Sequence, residues 1–146
     1  MKITSPVFLN NQPIPSKYTC DGTNVNPPLV FENIPVETKS LVLIVDDPDA
    51  SAGTWTHWLV WNVAPSTRMI KENSLPENAV EGTTSFGKPG YGGPCPPSGT
   101  HRYFFKLFAL DTELNLTKNT GKEQLERIIS KHVISKAEII GLYSVK

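Results

Sequence analysis

The chain has little of what would mark it as a membrane protein or a nucleic-acid binder. No segment approaches the ~20 consecutive apolar residues that a membrane-spanning helix needs, and the first residues begin no apolar signal segment. The 14 basic and 14 acidic side chains cancel, and no cluster of Lys or Arg forms a stripe that could neutralise phosphates. We therefore expect a cytoplasmic protein with no integral membrane association and no nucleic-acid partner.

Cysteine is also scarce, and this excludes a common class of metal and redox sites. Cys20 and Cys95 are the only two, and they lie too far apart in the chain to form a CxxC motif. A reduced pair is the expectation for a cytosolic protein, and a disulfide is the alternative. Because no metal-binding or phosphate-loop motif occurs either, the sequence predicts neither a metal ion nor a cofactor.

Proline, by contrast, is abundant and is spread along the whole chain. Thirteen prolines among 146 residues exceed the average usage of ~5% and stand largely in turn positions. Such spacing is typical of many short elements joined by rigid turns. Because no internal repeat or low-complexity linker interrupts the pattern, residues 1–146 are predicted to form a single domain.

Four apolar runs predict strands. SLVLIVDD (40–47), TWTHWLVWNV (54–63) and HRYFFKLFAL (101–110) are apolar on both faces, which predicts central strands covered on both sides. EIIGLYSV (138–145) predicts a final strand. The segment 64–100 has little periodicity, and we expect it to be mostly loop with room for one short strand.

One helix is predicted near the C-terminus. Thr120 is the predicted N-cap, and Glu123 three residues later completes a capping box. His132 is predicted to pack within an apolar stripe of this helix. The other members of the stripe recur at helical spacing: Leu125, Ile128, Ile129 and Val133. The predicted fold class is therefore mainly β, with one helix in the C-terminal region and long loops.

Polar side chains interrupt the predicted central strands or stand directly at their ends. The candidate site residues among them are Asp47, Asp49, His57, His101, Arg102 and Tyr103. A polar side chain on an apolar strand must be paired or face a cavity. If the three strands are neighbours, four of these side chains converge beneath the stiff loop GYGGPCPPSG (90–99): Asp47, His57, His101 and Tyr103. The alternative is that these residues have only structural roles. His57 would then be buried and hydrogen-bonded to a neighbouring group, residues 47–49 would form a turn, and His101 would be exposed.

The motifs together resemble those of the phosphatidylethanolamine-binding proteins, a family also called Raf kinase inhibitor-like proteins. DPDA (47–50), HWLVWN (57–62) and GYGGPCPPSGTHRY (90–103) stand in the order and spacing of that family's two signature regions. YTCDGTNVNPPL (18–29) is similar to the short bacterial and archaeal branch. The resemblance runs from about residue 3 to the end of the chain.

The resemblance implies an antiparallel β-sandwich with a small pocket for phosphate-like anions, including the phosphoethanolamine head group. It implies a non-enzymatic binding protein with a regulatory role and no cofactor. Carried over motif by motif, the ligand-binding residues are Asp47, Asp49, His57, Gly93, Pro94, His101, Arg102 and Tyr103.

Phosphate binding by such residues would depend on protonation. Imidazoles and the Tyr103 hydroxyl donate hydrogen bonds, and Gly92 and Gly93 let main-chain N–H groups approach an anion closely. Asp47 near a histidine favours the charged imidazole, and a second carboxylate could meet the ammonium of a zwitterion. The hypothesis predicts that anion affinity falls as the pH rises through the histidine pKa.

Two other functions stay open. Two aspartates and two histidines can hold a divalent metal, so a metal-dependent phosphoester hydrolase is one alternative. The other is inhibition of a serine protease or a kinase through a loop within 64–90. Arg68, Met69 and Phe86 are the candidates for the side chain that would enter a protease's specificity pocket. A homodimer is compatible with the sequence.

Overall fold

The apolar runs form the centre of a six-stranded sheet. The computed structural model describes all residues of the chain, 1–146. Its strands are β1 (Lys2–Thr4), β2 (Gln12–Pro13), β3 (Leu29–Glu32), β4 (Ser40–Asp47), β5 (Trp55–Val63), β6 (Met69–Ile70), β7 (Val80–Glu81), β8 (His101–Leu110) and β9 (Val133–Tyr143). One 3₁₀ turn (Ser16–Tyr18) and one helix, α1 (Lys122–Ile129), complete it. The large sheet has the order β2-β9-β8-β4-β5-β7, and the small sheet has the order β1-β3-β6.

The large sheet lies between the small sheet and α1, which explains why β4 is apolar on both faces and buried along its whole length. The inner face of the large sheet, which includes Leu41, Leu43 and Val45, packs against the small-sheet residues Leu29, Phe31 and Ile70. The helix face of the large sheet, which includes Val42, Ile44, Leu59 and Trp61, packs against Leu125 and Ile129 of α1. The predicted sandwich with one helix is confirmed, and its strands pair antiparallel except that β2 runs parallel to β9. No helix is both long and apolar enough to cross a bilayer.

The helix begins one residue later than the sequence predicted. Gly121 is the N-cap, and no side chain caps the helix. Thr120 is buried, and its carbonyl oxygen accepts the Thr83 N–H at 3.0 Å, so its backbone is held by the neighbouring loop. Glu123 then stands at the second helical position, one short of where a capping box needs it. The predicted Thr120 cap was therefore wrong.

The helix also ends before His132. α1 stops at Ile129, and β9 starts at Val133, earlier than the predicted start at residue 138. The His132 Nδ1 atom lies 2.8 Å from the Asp111 Oδ1 atom, and its side chain is 40% exposed. The predicted packing role of His132 was wrong, because the apolar spacing ran from a helix into the following strand.

Cys20 and Cys95 form a disulfide, so the predicted reduced pair was wrong. The two residues are 75 positions apart in the chain, and spacing alone cannot show that their loops lie side by side. Both cysteines are exposed. The cross-link joins the segment 18–24 to the loop 90–97.

Hydrogen bonds fasten the same two segments. The Cys20 N–H donates to the Pro94 carbonyl oxygen at 3.1 Å. The Tyr91 hydroxyl donates to the Tyr18 carbonyl oxygen at 2.7 Å. The loop 90–97 is therefore held in place although it has no regular secondary structure.

Removing the cross-link should destabilise the protein. A disulfide that closes a loop of 75 residues restricts the unfolded chain, and we expect its loss to lower the free energy of unfolding by about 2–4 kcal/mol. The variant carries both Cys20→Ser and Cys95→Ser, and the measurement is urea denaturation at pH 7. Wild-type protein in a reducing buffer is the control and should match the double variant. An unchanged denaturation midpoint in both samples contradicts a native cross-link.

Candidate functional site

An irregularity in the pairing of β4 with β5 decides which way His57 points. Val45 pairs with Trp58, but the next residue of β4 pairs with Thr56, so His57 is an extra residue without a partner in β4. Such a β-bulge re-aims a side chain. Strict alternation would place His57 on the helix face with Leu59. The bulge places it on the inner face instead.

His57 is held on three sides. Its Nδ1 lies 2.6 Å from the Gly92 carbonyl oxygen, and the rings of Phe86 and Tyr103 meet it edge-on at centroid distances of 5.5 and 5.2 Å. Because a carbonyl oxygen only accepts, Nδ1 carries the proton and Nε2 keeps a free lone pair. Burial lowers the pKa of His57 below its ordinary value of 6.5, although the Gly92 carbonyl and Asp47 oppose the shift. The imidazole is therefore neutral at pH 7.

Asp47 and His101 form the second polar unit of the site. Asp47 ends β4 and His101 begins β8, and the antiparallel pairing of these strands brings the two ends together. His101 Nδ1 lies 2.7 Å from Asp47 Oδ2, and the side chains are 12% and 4% exposed. Asp47 Oδ1 accepts the Asp49 N–H at 2.7 Å. The carboxylate thus orients the imidazole and leaves its Nε2 atom free.

Asp49 and Arg102 pair with each other outside the cavity. Arg102 donates one main-chain and two guanidinium hydrogen bonds to the Asp49 carboxylate, at distances of 2.8–2.9 Å. These side-chain hydrogen bonds lower the pKa of Asp49 to about 2. The pair fastens the turn after β4 to β8. Asp49 is therefore not free to meet the ammonium of a zwitterion, contrary to the expectation for a second carboxylate.

One hydrogen-bond donor beside the cavity, the Tyr103 hydroxyl, is buried without a well-formed partner. The Tyr103 hydroxyl is buried and makes no hydrogen bond of normal geometry, although Asp47 and the Cys95 N–H lie near it. Burial raises the pKa of Tyr103, so the hydroxyl keeps its proton. The Cys95 N–H makes no main-chain hydrogen bond and lies close to the Tyr103 hydroxyl oxygen. Because an unpaired buried donor costs free energy, a bound acceptor would recover part of that cost.

The predicted glycine donors are already occupied. The Gly92 N–H donates to the His57 carbonyl oxygen at 3.0 Å. The Gly93 N–H donates to Asn24 Oδ1 at 2.8 Å. Neither amide is available to an anion, so this part of the prediction was wrong.

Close packing explains the glycine at position 92, where a Cβ atom would come within 2.3 Å of the Phe86 ring. Gly93 and Pro94 lie behind the cavity wall, and the residues that follow them, 95–97, form that wall. The predicted positions are thus close to the site, but the lining begins one residue later.

The polar groups meet at a cavity of about 270 Å³. Its floor brings together four of the predicted residues: Asp47, His57, His101 and Tyr103. Its rim is largely apolar and was not predicted as part of a ligand site: Ala50, Ala52, Trp55, Phe86, Pro96 and Pro97. Trp55 stands two residues before His57 on the same strand, and this spacing could have indicated that Trp55 lines the same site. Phe86 stands in the segment without periodicity, so nothing in the sequence pointed to it.

The side chains that could bind a metal ion are each paired with another group of the protein. No group of three or more His, Cys, Asp or Glu side chains is arranged to hold a metal ion. Asp47 pairs with His101, Asp49 pairs with Arg102, and His57 binds a carbonyl oxygen.

A family model described as phosphatidylethanolamine-binding protein matches residues 4–144. A UPF0098 protein of Methanothermobacter thermautotrophicus is 47% identical, and the match covers 98% of each chain. A UPF0098 protein of Pyrococcus horikoshii is also 47% identical over the whole of this chain and 77% of its own length.

Solved structures show the same similarity. A putative phosphatidylethanolamine-binding protein homologue of Chlamydia trachomatis superimposes with a TM-score of 0.95 at 41% identity, covering 99% of this chain and 97% of its own. The E. coli protein YbcL, described as a new member of the mammalian family, superimposes with a TM-score of 0.93 at 30% identity, covering 99% and 98%.

The lowered pKa of His57 should make the fold sensitive to mild acid. The imidazole takes up a proton near pH 6.5 in the unfolded chain but only at lower pH in the folded protein. Its contribution to stability is therefore present above pH 6.5 and is lost as the pH falls below it. We expect the free energy of unfolding, measured by urea denaturation, to fall between pH 7.5 and 5.5. The fall should be smaller in His57→Gln, and an equal fall in both proteins contradicts this assignment.

Proposed function

Because the chain belongs to the phosphatidylethanolamine-binding protein family, we propose that it binds a small phosphate-like anion in the cavity between β5, β8 and the loop 90–97. It then acts as a binding protein with a regulatory role and not as an enzyme. The observation that carries the proposal is the buried Tyr103 hydroxyl, which makes no hydrogen bond of normal geometry in the ligand-free protein. The hydroxyl donates, and a phosphate oxygen accepts.

The two histidines complete the set of groups that would hold the anion. Both His57 and His101 use Nδ1 within the protein, and each leaves Nε2 without a protein partner. A protonated imidazole donates from Nε2, whereas a neutral imidazole with a proton on Nδ1 accepts there. A neutral His57 therefore fits a protonated phosphate oxygen, and a charged His57 fits an unprotonated one.

This arrangement couples binding to protonation. His57 is neutral at pH 7, so a fully ionised phosphate meets a lone pair at its Nε2 atom. Lowering the pH adds a proton to the phosphate or to the imidazole, and either proton turns this contact into a hydrogen bond. We infer that anion affinity rises as the pH falls through and below 6.5.

Recognition rests on the phosphate-like end of the ligand. Asp47 is committed to His101 and Asp49 is committed to Arg102, so no unpaired carboxylate stands ready for an ammonium group. Free phosphate, phosphoethanolamine and a lipid head group share the phosphate chemistry. Comparing the affinities for these three ligands shows which of them the cavity prefers.

Inhibition of a protease or a kinase has less support. The Arg68 carbonyl oxygen accepts the Phe31 N–H at 2.8 Å, and Met69 pairs with Val30. Phe86 packs against the cavity. None of the three candidate side chains is presented on a segment free of such contacts.

The first test is an NMR titration of labelled protein with inorganic phosphate and with O-phosphorylethanolamine at pH 5.5 and 7.5. We expect shifts at His57, His101, Tyr103 and the Cys95 amide, and tighter binding at pH 5.5. His132 lies outside the cavity and is the internal control. Equal affinities for the two ligands place recognition in the phosphate alone, and tighter binding of O-phosphorylethanolamine shows that the ammonium adds to it. The proposal fails if none of the cavity signals moves at either pH.

Tyr103→Phe tests the hydroxyl directly. Removing a hydrogen bond to a charged group should weaken phosphate binding by about tenfold or more, measured by isothermal titration calorimetry. Thermal stability should change little, because the hydroxyl makes no hydrogen bond of normal geometry in the ligand-free protein. Tyr143→Phe is the matched control, since that hydroxyl donates to Asp21 away from the cavity. Equal affinities of Tyr103→Phe and wild type would remove the main support for the site.

A further inference from the structure

The segment 83–89 forms a tight turn that plays no part in the proposed anion contacts. The Thr84 N–H donates to the Lys88 carbonyl oxygen at 3.1 Å, and the Gly87 N–H donates to the Thr84 carbonyl oxygen at 2.9 Å. Gly87 adopts a φ of +81°, which favours glycine and lets the chain reverse directly after Phe86. The turn is therefore closed by its own hydrogen bonds.

The turn is also bonded to β5 next to His57. The Ser85 N–H donates to the Thr56 carbonyl oxygen at 3.1 Å, and the Thr56 N–H donates to Ser85 Oγ at 2.8 Å. Thr56 immediately precedes His57 in the chain. This pair of bonds therefore sets the position of the turn relative to the imidazole.

The Phe86 side chain lines the cavity beside His57 and Trp55. Its ring centroid is 5.5 Å from His57 and 5.5 Å from Trp55. On the other side the ring approaches the backbone of Gly92 so closely that no Cβ atom would fit there. Three neighbours thus hold the ring, although 43% of the residue remains exposed to solvent.

The position of Phe86 restricts the space around a ligand in the cavity. The ring covers one side of His57, which is itself only 4% exposed. Any group attached to an anion on the cavity floor must pass beside Phe86 and the apolar rim. Because the turn is bonded at both ends, its main chain cannot move aside without breaking hydrogen bonds, and the contacts with His57, Trp55 and Gly92 oppose rotation of the ring.

We propose that Phe86 is the specificity-determining residue of this cavity, a fixed aromatic gate that shields His57 and limits the bulk of the group carried by the bound anion. The selectivity part of this inference rests on the proposed anion binding. The shielding part does not, and it can be tested in the ligand-free protein.

Shielding is measured by the rate at which diethyl pyrocarbonate modifies each histidine, followed by mass spectrometry at pH 7. We expect Phe86→Ala to speed the modification of His57 several-fold, because its neutral Nε2 becomes accessible. The rate at His132 should not change and serves as the internal control. Met69→Ala, which truncates a similarly exposed side chain away from the cavity, should leave all rates as in the wild type.

Selectivity is measured with methyl phosphate and tert-butyl phosphate, which have the same charged group and differ in bulk. We expect Phe86→Ala to raise the affinity for tert-butyl phosphate relative to methyl phosphate by at least about tenfold, measured by calorimetry. Phe86→Tyr keeps the ring and should retain the wild-type ratio.

The outcomes separate the two ideas. If neither ester binds the wild type, the proposed anion site fails, and the modification rate at His57 still decides whether Phe86 acts as a gate. An unchanged rate at His57 in Phe86→Ala overturns the gate. An unchanged ratio of ester affinities overturns its role in selectivity.

Discussion

The extra residue in β5 opposite β4 is the constraint on which the rest of the site depends. Side chains alternate along a strand, so a shift of one residue moves a side chain to the other face of the sheet. Here the shift lets Trp58 stay in the core of the inner face while His57, its neighbour, also turns to that side and meets Tyr103. Without the bulge the imidazole would face α1, and the cavity floor would lose one of its two histidines.

The opposite wall of the cavity is shaped by contacts from outside its own segment. The loop 90–97 has no regular structure, yet a disulfide and main-chain hydrogen bonds join it to 18–24. Prolines at 94, 96 and 97 further restrict its backbone. A wall that is already ordered loses little conformational freedom when a ligand binds, which favours a small ligand with few contacts of its own. The same rigidity holds the Cys95 N–H beside the Tyr103 hydroxyl.

The acidic run at the end of β4 is explained by pairing. Asp46 and Asp47 point to opposite faces, and both are buried. Asp46 binds Lys106 and Lys122 at 3.0 and 3.2 Å on the helix face, and Asp47 binds His101 on the inner face. A buried carboxylate without such a partner would be strongly destabilising. Pairing therefore leaves the cavity with donors and imidazoles, a set suited to an anion, although three aspartates stand close by in the chain.

The features that could be predicted from the sequence are those that depend on residues close together in the chain. The central strands were predictable because apolar residues on both faces are a property of consecutive positions. The polar residues of the floor could be named from the motifs, but they converge because β8, β4 and β5 are neighbours in the sheet, which the structure shows. The direction of His57, the disulfide partner of Cys20 and the place of Phe86 were not predictable. The sequence by itself determined the core strands and the residue types of the site. Only the tertiary structure decided the bulge, the cross-link and the aromatic gate, because each depends on contacts between segments that are distant in the chain.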